Sequence, residues 1–171
     1  MNLEDALKII NELMKQENLG QHIKIGKVCG SIRRNQPYVN DIDMVVIPND
    51  LSHYSFGQED FDSTIKRLDQ GTIDKPMLGD KIKRFFYKGV SIDLYIANEE
   101  TYETLVLIRT GSKEHNIKLT TLAKYKNMKL FASGTGLCKI DGDKIISIVQ
   151  NTEDGILQFL LGKIPKPEER N

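Results

Sequence analysis

Two short apolar segments, each interrupted by aspartate, constrain the fold of this chain more than any other feature. Residues 41–47 read Asp-Ile-Asp-Met-Val-Val-Ile, and residues 90–96 read Val-Ser-Ile-Asp-Leu-Tyr-Ile. Both are rich in β-branched residues, which favours strands. Because successive side chains of a strand point to opposite faces, Asp41 and Asp43 share one face and Ile42 lies on the other. The pattern predicts two strands that carry carboxylates into a partly buried setting.

A nearby cation is needed to stabilise three carboxylates in such a setting, those of Asp41, Asp43 and Asp93. Like charges in partly buried positions repel each other unless a positive group compensates them. Carboxylate oxygens suit Mg²⁺, which is a hard, oxygen-preferring ion. An Asp-x-Asp pair alone also occurs in structural and Ca²⁺ sites, so its neighbours decide the interpretation.

A Gly-Ser pair and two arginines precede the first carboxylate segment. Residues 30–34 read Gly-Ser-Ile-Arg-Arg and directly follow an apolar segment, Ile23 to Cys29, that reads as a strand. Small residues at the end of a strand, followed by cations, are suited to a polyphosphate. Together with the three aspartates, they indicate metal-dependent nucleotidyl transfer.

The composition is that of an ordinary globular chain and excludes several classes. The 171 residues are 39% hydrophobic and 28% charged with zero net charge, which argues against nucleic-acid binding by the whole surface. No apolar run approaches the roughly 20 residues of a membrane span, and the acidic start of the chain does not resemble a secretory signal. Only Cys29 and Cys138 occur, far apart. We therefore expect a monomeric intracellular protein with reduced thiols and no membrane partner.

Hydrophobic periodicity and turn residues predict an alternation of helices and strands. The expected helices cover 3–17, about 60–69, 99–108, 113–126 and 153–161, and the expected strands cover 23–29, 42–47, 81–87, 90–96, 128–131, 137–140 and 144–149. Lys88-Gly89 reads as a hairpin turn that sets Asp93 beside the first carboxylate strand. Thr110-Gly111-Ser112 separates the predicted helices 99–108 and 113–126. We therefore place a domain boundary at the end of the first of these helices, between residues 108 and 109.

The order of these blocks resembles the nucleotidyltransferase superfamily and, within it, the family X DNA polymerases. The resemblance rests on residues 28–34 (Val-Cys-Gly-Ser-Ile-Arg-Arg), on Asp41-Ile42-Asp43, on residues 108–112 (Ile-Arg-Thr-Gly-Ser) through Asn116, and on residues 164–170 (Ile-Pro-Lys-Pro-Glu-Glu-Arg). Three positions depart from the family pattern: Asn40 stands where glycine is usual, and Ile108 and Arg109 stand where paired aromatics are usual.

The resemblance implies an α+β fold of the minimal palm-plus-thumb type. A nucleotidyltransferase palm at 1–108, a mixed sheet with helices on one face, would be followed by a small α+β thumb at 109–171. We expect neither the lyase domain nor the helix-hairpin-helix subdomain of larger members.

The resemblance also implies roles for individual residues. Asp41 and Asp43 would bridge two Mg²⁺ ions, for which Mn²⁺ can substitute, and Asp93 would bind only the catalytic one. The nucleotide would be bound by Gly30, Ser31, Arg34, Asn40, Ile108, Arg109, Gly111 and Asn116. DNA would be bound by Lys113, Lys118 and Lys124, within a segment, 109–129, that holds six cations and one anion.

The implied function is a DNA-directed DNA polymerase that fills short gaps in DNA repair. Its partners would be dNTP and a primer–template or gapped duplex. One alternative is a nucleotidyltransferase acting on a tRNA end, a small molecule or a protein. Two others are a DNA-end binder without activity and a Ca²⁺-stabilised structural domain.

Overall fold

The computed structural model of the protein describes residues 1–50, 59–71 and 76–170. Within them the chain forms two units, each built around one sheet. The first contains α1 (Leu3–Lys15), β1 (Ile23–Val28), α2 (Gly30–Arg33), β2 (Asp41–Pro48), α3 (Phe61–Leu68), β3 (Met77–Leu78), β4 (Ile82–Tyr87), β5 (Val90–Ile96) and α4 (Tyr102–Thr110). The second contains α5 (Lys113–Tyr125), β6 (Met128–Phe131), β7 (Gly136–Asp141), β8 (Lys144–Gln150) and α6 (Glu153–Leu161). Short 3₁₀ turns lie at Leu19–His22 and Pro167–Glu169.

The first sheet is mixed, as the sequence predicts. Its described strands lie in the order β1-β2-β5-β4-β3. Strands β2 and β5 are parallel and pair Asp43 with Asp93, whereas the other neighbours are antiparallel. The hairpin between β4 and β5 turns at Lys88 and Gly89, both with positive φ, which confirms the predicted turn. The second sheet is an antiparallel meander of β6, β7 and β8.

Helices cover both faces of the first sheet, which corrects the expectation of one covered face. One apolar layer joins β2 to α1 and α3 through Ile42, Met44 and Val46. The opposite layer joins β2 to α4 through Val45 and Ile47. The physical reason lies in β2 itself: after Asp43 its residues are apolar on both faces, so each face must be buried. The expected α+β class is confirmed.

Local signals fixed most helix starts correctly. Asn2, Ser112 and Thr152 accept backbone N–H groups from residues three positions later, at 2.8, 3.2 and 3.1 Å, as N-caps do. Helix α4 begins at Tyr102 rather than at residue 99. Asn98 explains the delay, because its side chain accepts the N–H groups of Glu100 and Thr101 and holds a turn there.

Helix α4 belongs to both units. Its Leu105 and Val106 pack in the layer against β2, while the next residue, Leu107, lies in the core of the second unit. That second core also contains Leu119, Ala123, Leu137, Ile156 and Leu157. The boundary between residues 108 and 109 stays a prediction, since one continuous helix spans it.

A buried ionic cluster joins the two units. The Glu153 carboxylate at the start of α6 accepts two hydrogen bonds from Arg33 at 2.7 Å and one from Arg170 at 2.6 Å. Arg33 also donates to the hydroxyl of Thr110 at 2.7 Å, and Arg170 donates to the carbonyl of Pro165. Burial alone would raise the pKa of Glu153, but the two guanidinium groups lower it below its usual value. The C-terminal segment thus forms a 3₁₀ turn at Pro167–Glu169 that is tied to α6 through Arg170.

We expect Glu153→Gln to lower the free energy of unfolding by about 3 kcal/mol or more, because it leaves two buried guanidinium groups without their anion. Urea unfolding followed by circular dichroism would measure the change. The control is Glu99→Gln, which removes an ion pair to Lys24 whose two side chains are 72% and 54% exposed. That control should cost at most about 1 kcal/mol, and equal losses in the two variants would contradict a structural role for the buried cluster.

Candidate active site

The three predicted carboxylates meet on one face of the first sheet. Asp41 and Asp43 lie at the start of β2, and β5 pairs in parallel register so that Asp93 is opposite Asp43. Strand alternation turns Ile42 and Ile92 into the core beneath them. Helix α4 covers the far end of the same face, which leaves the beginnings of β2 and β5 open. The structure thus brings together the residues that the sequence identified separately.

Asp43 is the carboxylate whose ionisation is most perturbed. Burial raises its pKa to about 6, and the negative charges of Asp41 and Asp93 add to this shift. The hydroxyl of Tyr95 and the charge of Arg109 act in the opposite direction. A crowded carboxylate of this kind gains from any cation that binds beside it.

Gly30 makes room for the Asp43 side chain. It has a φ of 57°, and a Cβ atom built on it would overlap the carboxylate of Asp43. Only glycine combines this backbone conformation with the close approach at low cost. The Gly-Ser pair that the sequence identified is therefore required by the carboxylates as well as by any phosphate.

Asp93 is held by an arginine that the sequence analysis did not identify. Arg84 of β4, its partner across the hairpin, donates from Nε to Oδ1 at 2.6 Å and from Nη2 to Oδ2 at 2.5 Å. The hydroxyls of Ser91 and Tyr95 donate to the same two oxygens at 3.3 Å. The hydrogen bonds and the charge of Asp93 raise the pKa of Arg84. The two-residue turn at Lys88-Gly89 already implied that residues 84 and 93 pair, so the signal was present in the sequence.

The donor set suits a hard divalent cation, although no ready ligand cage exists. Within the described residues, no three or more Asp, Glu, His or Cys side chains are arranged to hold one metal ion. The reason is local, since both oxygens of Asp93 are taken by Arg84. All three candidate ligands are nevertheless oxygen donors on one sheet face, as Mg²⁺ requires. The chemistry of the three side chains, rather than a preformed cage, is what suits such an ion.

A cavity of about 630 Å³ lies beside Asp41 and Asp43. All eight residues predicted to bind nucleotide line it: Gly30, Ser31, Arg34, Asn40, Ile108, Arg109, Gly111 and Asn116. Tyr38, Tyr95 and Lys113 line it as well, although the sequence analysis did not assign them to a nucleotide site. Tyr95 could have been found by strand alternation, because it lies two residues after Asp93.

The cavity wall holds polar atoms that lack protein partners. In the described part of the chain, Ser31 Oγ, Arg34 Nε, Arg109 Nε and Asn116 Oδ1 are buried and make no hydrogen bond. A buried donor without a partner costs free energy, so such a group indicates a ligand or ordered water. Three of these four atoms can donate, and two belong to guanidinium groups. The three donors are therefore available to a ligand that carries acceptor oxygens.

Two arginines of the cavity are fixed by other contacts. Arg34 donates through Nη1 to the carbonyl of Thr110, next to Gly111, where a Cβ atom would lie 3.2 Å from that nitrogen. The guanidinium of Arg109 lies over the ring of Tyr95 at 4.0 Å, a cation–π contact. Each arginine thus faces the cavity from a supported position.

The three predicted DNA-binding lysines do not share one face of α5. Lys113 lines the nucleotide cavity and Lys124 lines a neighbouring cleft of about 470 Å³, with Thr120 lining both. Lys113 and Lys124 are three helical turns apart, whereas Lys118 is rotated by about 140° from Lys113. Lys118 is near the buried His115, whose pKa is lowered chiefly by burial. A DNA strand lying along the cavity side of α5 would therefore contact Lys113 and Lys124.

Comparisons with known proteins find similarity to DNA polymerases in sequence and in fold. A family model described as the DNA polymerase beta thumb matches residues 105–171. The chain is 29% identical over 134 residues to the DNA polymerase/3′-5′ exonuclease PolX of Bacillus subtilis, covering 75% of this chain and 22% of that protein. It thus spans about a fifth of the length of the curated relative that it matches. The crystal structure of Leishmania infantum polymerase beta in a ternary P/T complex superposes with a TM-score of 0.75 at 18% identity, covering 100% of this chain and 76% of that one.

We expect Asp43→Asn to stabilise the metal-free protein at neutral pH. A carboxyl group whose folded pKa is raised from 3.8 to about 6 contributes stability below pH 4 that is lost as the pH rises through 6. Removing the charge should recover about 1–3 kcal/mol of unfolding free energy at pH 8 and flatten the pH dependence between 4 and 7. Urea unfolding in EDTA across this range would show it. A variant less stable than the parent at pH 8 would contradict the assigned electrostatics.

Proposed function

Since the chain is a family X DNA polymerase-like protein, we propose that it transfers a deoxynucleotide from dNTP to the 3′-hydroxyl of a DNA primer. The observation that carries the proposal is that the carboxylates lie directly beside the cavity. Asp41 and Asp43 border a cavity whose wall contains unpaired donors, and Asp93 lies beside Asp43 on the neighbouring strand. Metal-dependent phosphoryl transfer needs both features side by side.

The carboxylates would hold the metal ions. Asp41 and Asp43 lie on one strand face and would hold Mg²⁺ ions together with Asp93 from β5. Bound there, such ions would stabilise the attacking and leaving oxygens. Asp93, buried and fixed by hydrogen bonds, would also be placed to accept the proton of the primer hydroxyl.

The cavity wall would hold the nucleotide. Ser31 and Arg34 would take oxygens of the triphosphate with their unpaired donors, and the backbone beside Asn40 would assist them. Ile108 and Gly111 would border the sugar, while Asn116, which donates to the carbonyl of Ile108 at 2.8 Å, would be fixed to reach the base edge. Arg109, stacked on Tyr95, would add a cation between triphosphate and carboxylates.

DNA would be bound along α5 through Lys113 and Lys124. The Leishmania infantum polymerase structure that superposes on this chain is a ternary primer/template complex. The match to a polymerase beta thumb also favours a DNA acceptor over a tRNA end, a small molecule or a protein. With few phosphate contacts the enzyme would act distributively, which suits short gaps in DNA repair. We further propose that it acts inside the cell as a monomer, in keeping with its two buried, unpaired thiols. A membrane span is not found among the helices in the described part of the chain.

Primer extension with Mg²⁺ and all four dNTPs, with and without a template, tests the proposal. We expect template-dependent addition by the parent protein. Asp41→Asn should reduce the rate at least about a hundredfold, the scale of removing one electrostatic contact to a transition state. Asp50→Asn, an equal charge change beyond the end of β2, is the control and should retain the rate. Addition to an RNA end or a small molecule, with none to a primer, would favour the alternative acceptors.

The face of α5 that binds DNA can be tested by charge reversal. We expect Lys113→Glu with Lys124→Glu to weaken binding to every DNA sequence alike and to lower the slope of log affinity against log salt by about 2. Fluorescence anisotropy of a labelled primer–template in the absence of dNTP, over a salt series, would measure both. Lys118→Glu, on another face of the same helix, should change binding less. If Lys118→Glu had the larger effect, the assigned face would be wrong.

A further inference from the structure

We infer that Arg84 is a positioning residue with two alternating partners: Asp93 in the metal-free protein, and a phosphate of the acceptor strand once a divalent cation binds Asp93. The inference rests on the proposed function for the identity of the acceptor, but its first step, the competition with metal, does not. It assigns a role to an arginine on β4, outside the motifs that identified the site.

The first observation is that both carboxylate oxygens of Asp93 already accept hydrogen bonds from Arg84. Each carboxylate oxygen accepts one guanidinium N–H, at 2.6 and 2.5 Å, and one hydroxyl, from Ser91 or Tyr95. The Asp93 side chain is only 5% exposed. A metal ion that binds Asp93 must therefore take a lone pair that is already used. The guanidinium has to share the oxygen or move.

The second observation is that Arg84 has somewhere to move. Its side chain is 46% exposed, in contrast to Asp93. It borders a cleft of about 510 Å³ whose lining also includes three carboxylates, those of Asp41, Asp69 and Asp93, and the side chains of Met77 and Phe86. Within the described lining of this cleft, Arg84 is the only cationic side chain. A short rotation away from Asp93 would leave it facing that open space.

The third observation is the position of the cleft. Strand pairing sets Asp43, Asp93, Arg84 and Met77 in one row across four strands. The nucleotide cavity lies at the Asp43 end of the row and the cleft at the Arg84 end, and Asp41 lines both. Phosphoryl transfer requires the attacking and leaving oxygens roughly in line, on opposite sides of the reacting phosphorus. An acceptor strand must then approach from the end of the row that Arg84 occupies.

The fourth observation is the chemistry of the cleft surface. Phe86 and Met77 are 47% and 50% exposed, and both line the cleft beside Arg84. A nucleotide presents both apolar surface, on its sugar and base, and a phosphate. The combination of one arginine with two exposed apolar side chains matches such a unit.

The competition with metal can be measured without DNA or activity. We expect Arg84→Gln to bind Mn²⁺ at least about threefold more tightly than the parent, because a competing positive charge next to Asp93 is removed. Water-proton relaxation, on the protein alone at mildly alkaline pH, would give the affinities. The control is Lys83→Gln, an equal charge change one residue away, whose ammonium pairs instead with Asp62 at 2.6 Å. Unchanged or weaker Mn²⁺ binding by a folded Arg84→Gln protein would overturn the inference.

A second measurement tests the phosphate. With a primer that lacks its 3′-hydroxyl and with Ca²⁺ present, Arg84→Gln should lower affinity for primer–template about tenfold, the scale of a charge-assisted contact. In EDTA the same substitution should change affinity much less, since Arg84 is then paired with Asp93. Equal losses in Ca²⁺ and EDTA would overturn the exchange of partners.

A third variant and the parent protein complete the design. Arg84→Lys keeps the charge but lacks the two-pronged contact, so its Mn²⁺ affinity should lie between those of the parent and Arg84→Gln. It therefore also serves if Arg84→Gln does not fold. If the parent protein fails to extend primers while Arg84→Gln still binds Mn²⁺ more tightly, the proposed function fails and the competition at Asp93 stands.

Discussion

The parallel pairing of β2 with β5 is the constraint on which the rest of the site depends. It fixes Asp43 opposite Asp93 and leaves three carboxylates on one open sheet face. Their mutual repulsion, together with burial, explains why the pKa of Asp43 rises to about 6. The neighbouring features respond to the same crowding. Gly30 clears space for one carboxylate, Arg84 neutralises another, and Arg109 approaches from the opposite side of the cavity. The fold thus accepts an unfavourable charge cluster and surrounds it with its own cations.

Arg33 and Arg34, at the end of α2, have different roles: one belongs to the buried ionic cluster that joins the two units, and the other belongs to the candidate site. Arg33 points into the buried cluster with Glu153, which ties α6 and the C-terminal turn to the first unit. Arg34 points into the nucleotide cavity and reaches the carbonyl of Thr110 at the end of α4. The same turn of helix α2 therefore positions the second unit and presents a donor to the ligand. Because the joint is buried and charged, the cavity wall made by residues 108–116 is held at a defined place over the carboxylates.

The sequence predicted what depends on local pattern and missed what depends on packing between distant segments. Strand alternation, cap residues and turn dipeptides are read over a few positions, so the carboxylate strands, Ser112 and the Lys88-Gly89 turn were found. The covering of both faces of β2 was also within reach, because residues 44–47 form an unbroken apolar run, but the sequence does not show which helices pack on each face. Glu153 is separated from Arg33 by 120 positions, and no local signal links them. The Arg84–Asp93 pair was within reach, because hairpin register is arithmetic once the turn is known. The assignment of Lys118 to DNA binding stays a prediction, and the 3.6-residue period places it on a different face of α5 from Lys113 and Lys124.

In the ligand-free site, protein groups occupy the places that ligands would take. The guanidinium of Arg84 provides at Asp93 the positive charge that a metal ion would provide. The carbonyl of Thr110 accepts from Arg34 a hydrogen bond of the kind that a phosphate oxygen would accept, while Arg34 Nε stays unpaired. These substitutes have different strengths: a charged carboxylate–guanidinium pair binds more strongly than a hydrogen bond to a neutral carbonyl. A ligand would therefore displace the carbonyl of Thr110 from Arg34 more easily than a metal ion would displace Arg84 from Asp93. If the protein acts as we propose, this difference in the strength of the resident contacts would favour nucleotide binding before the metal ion reaches Asp93.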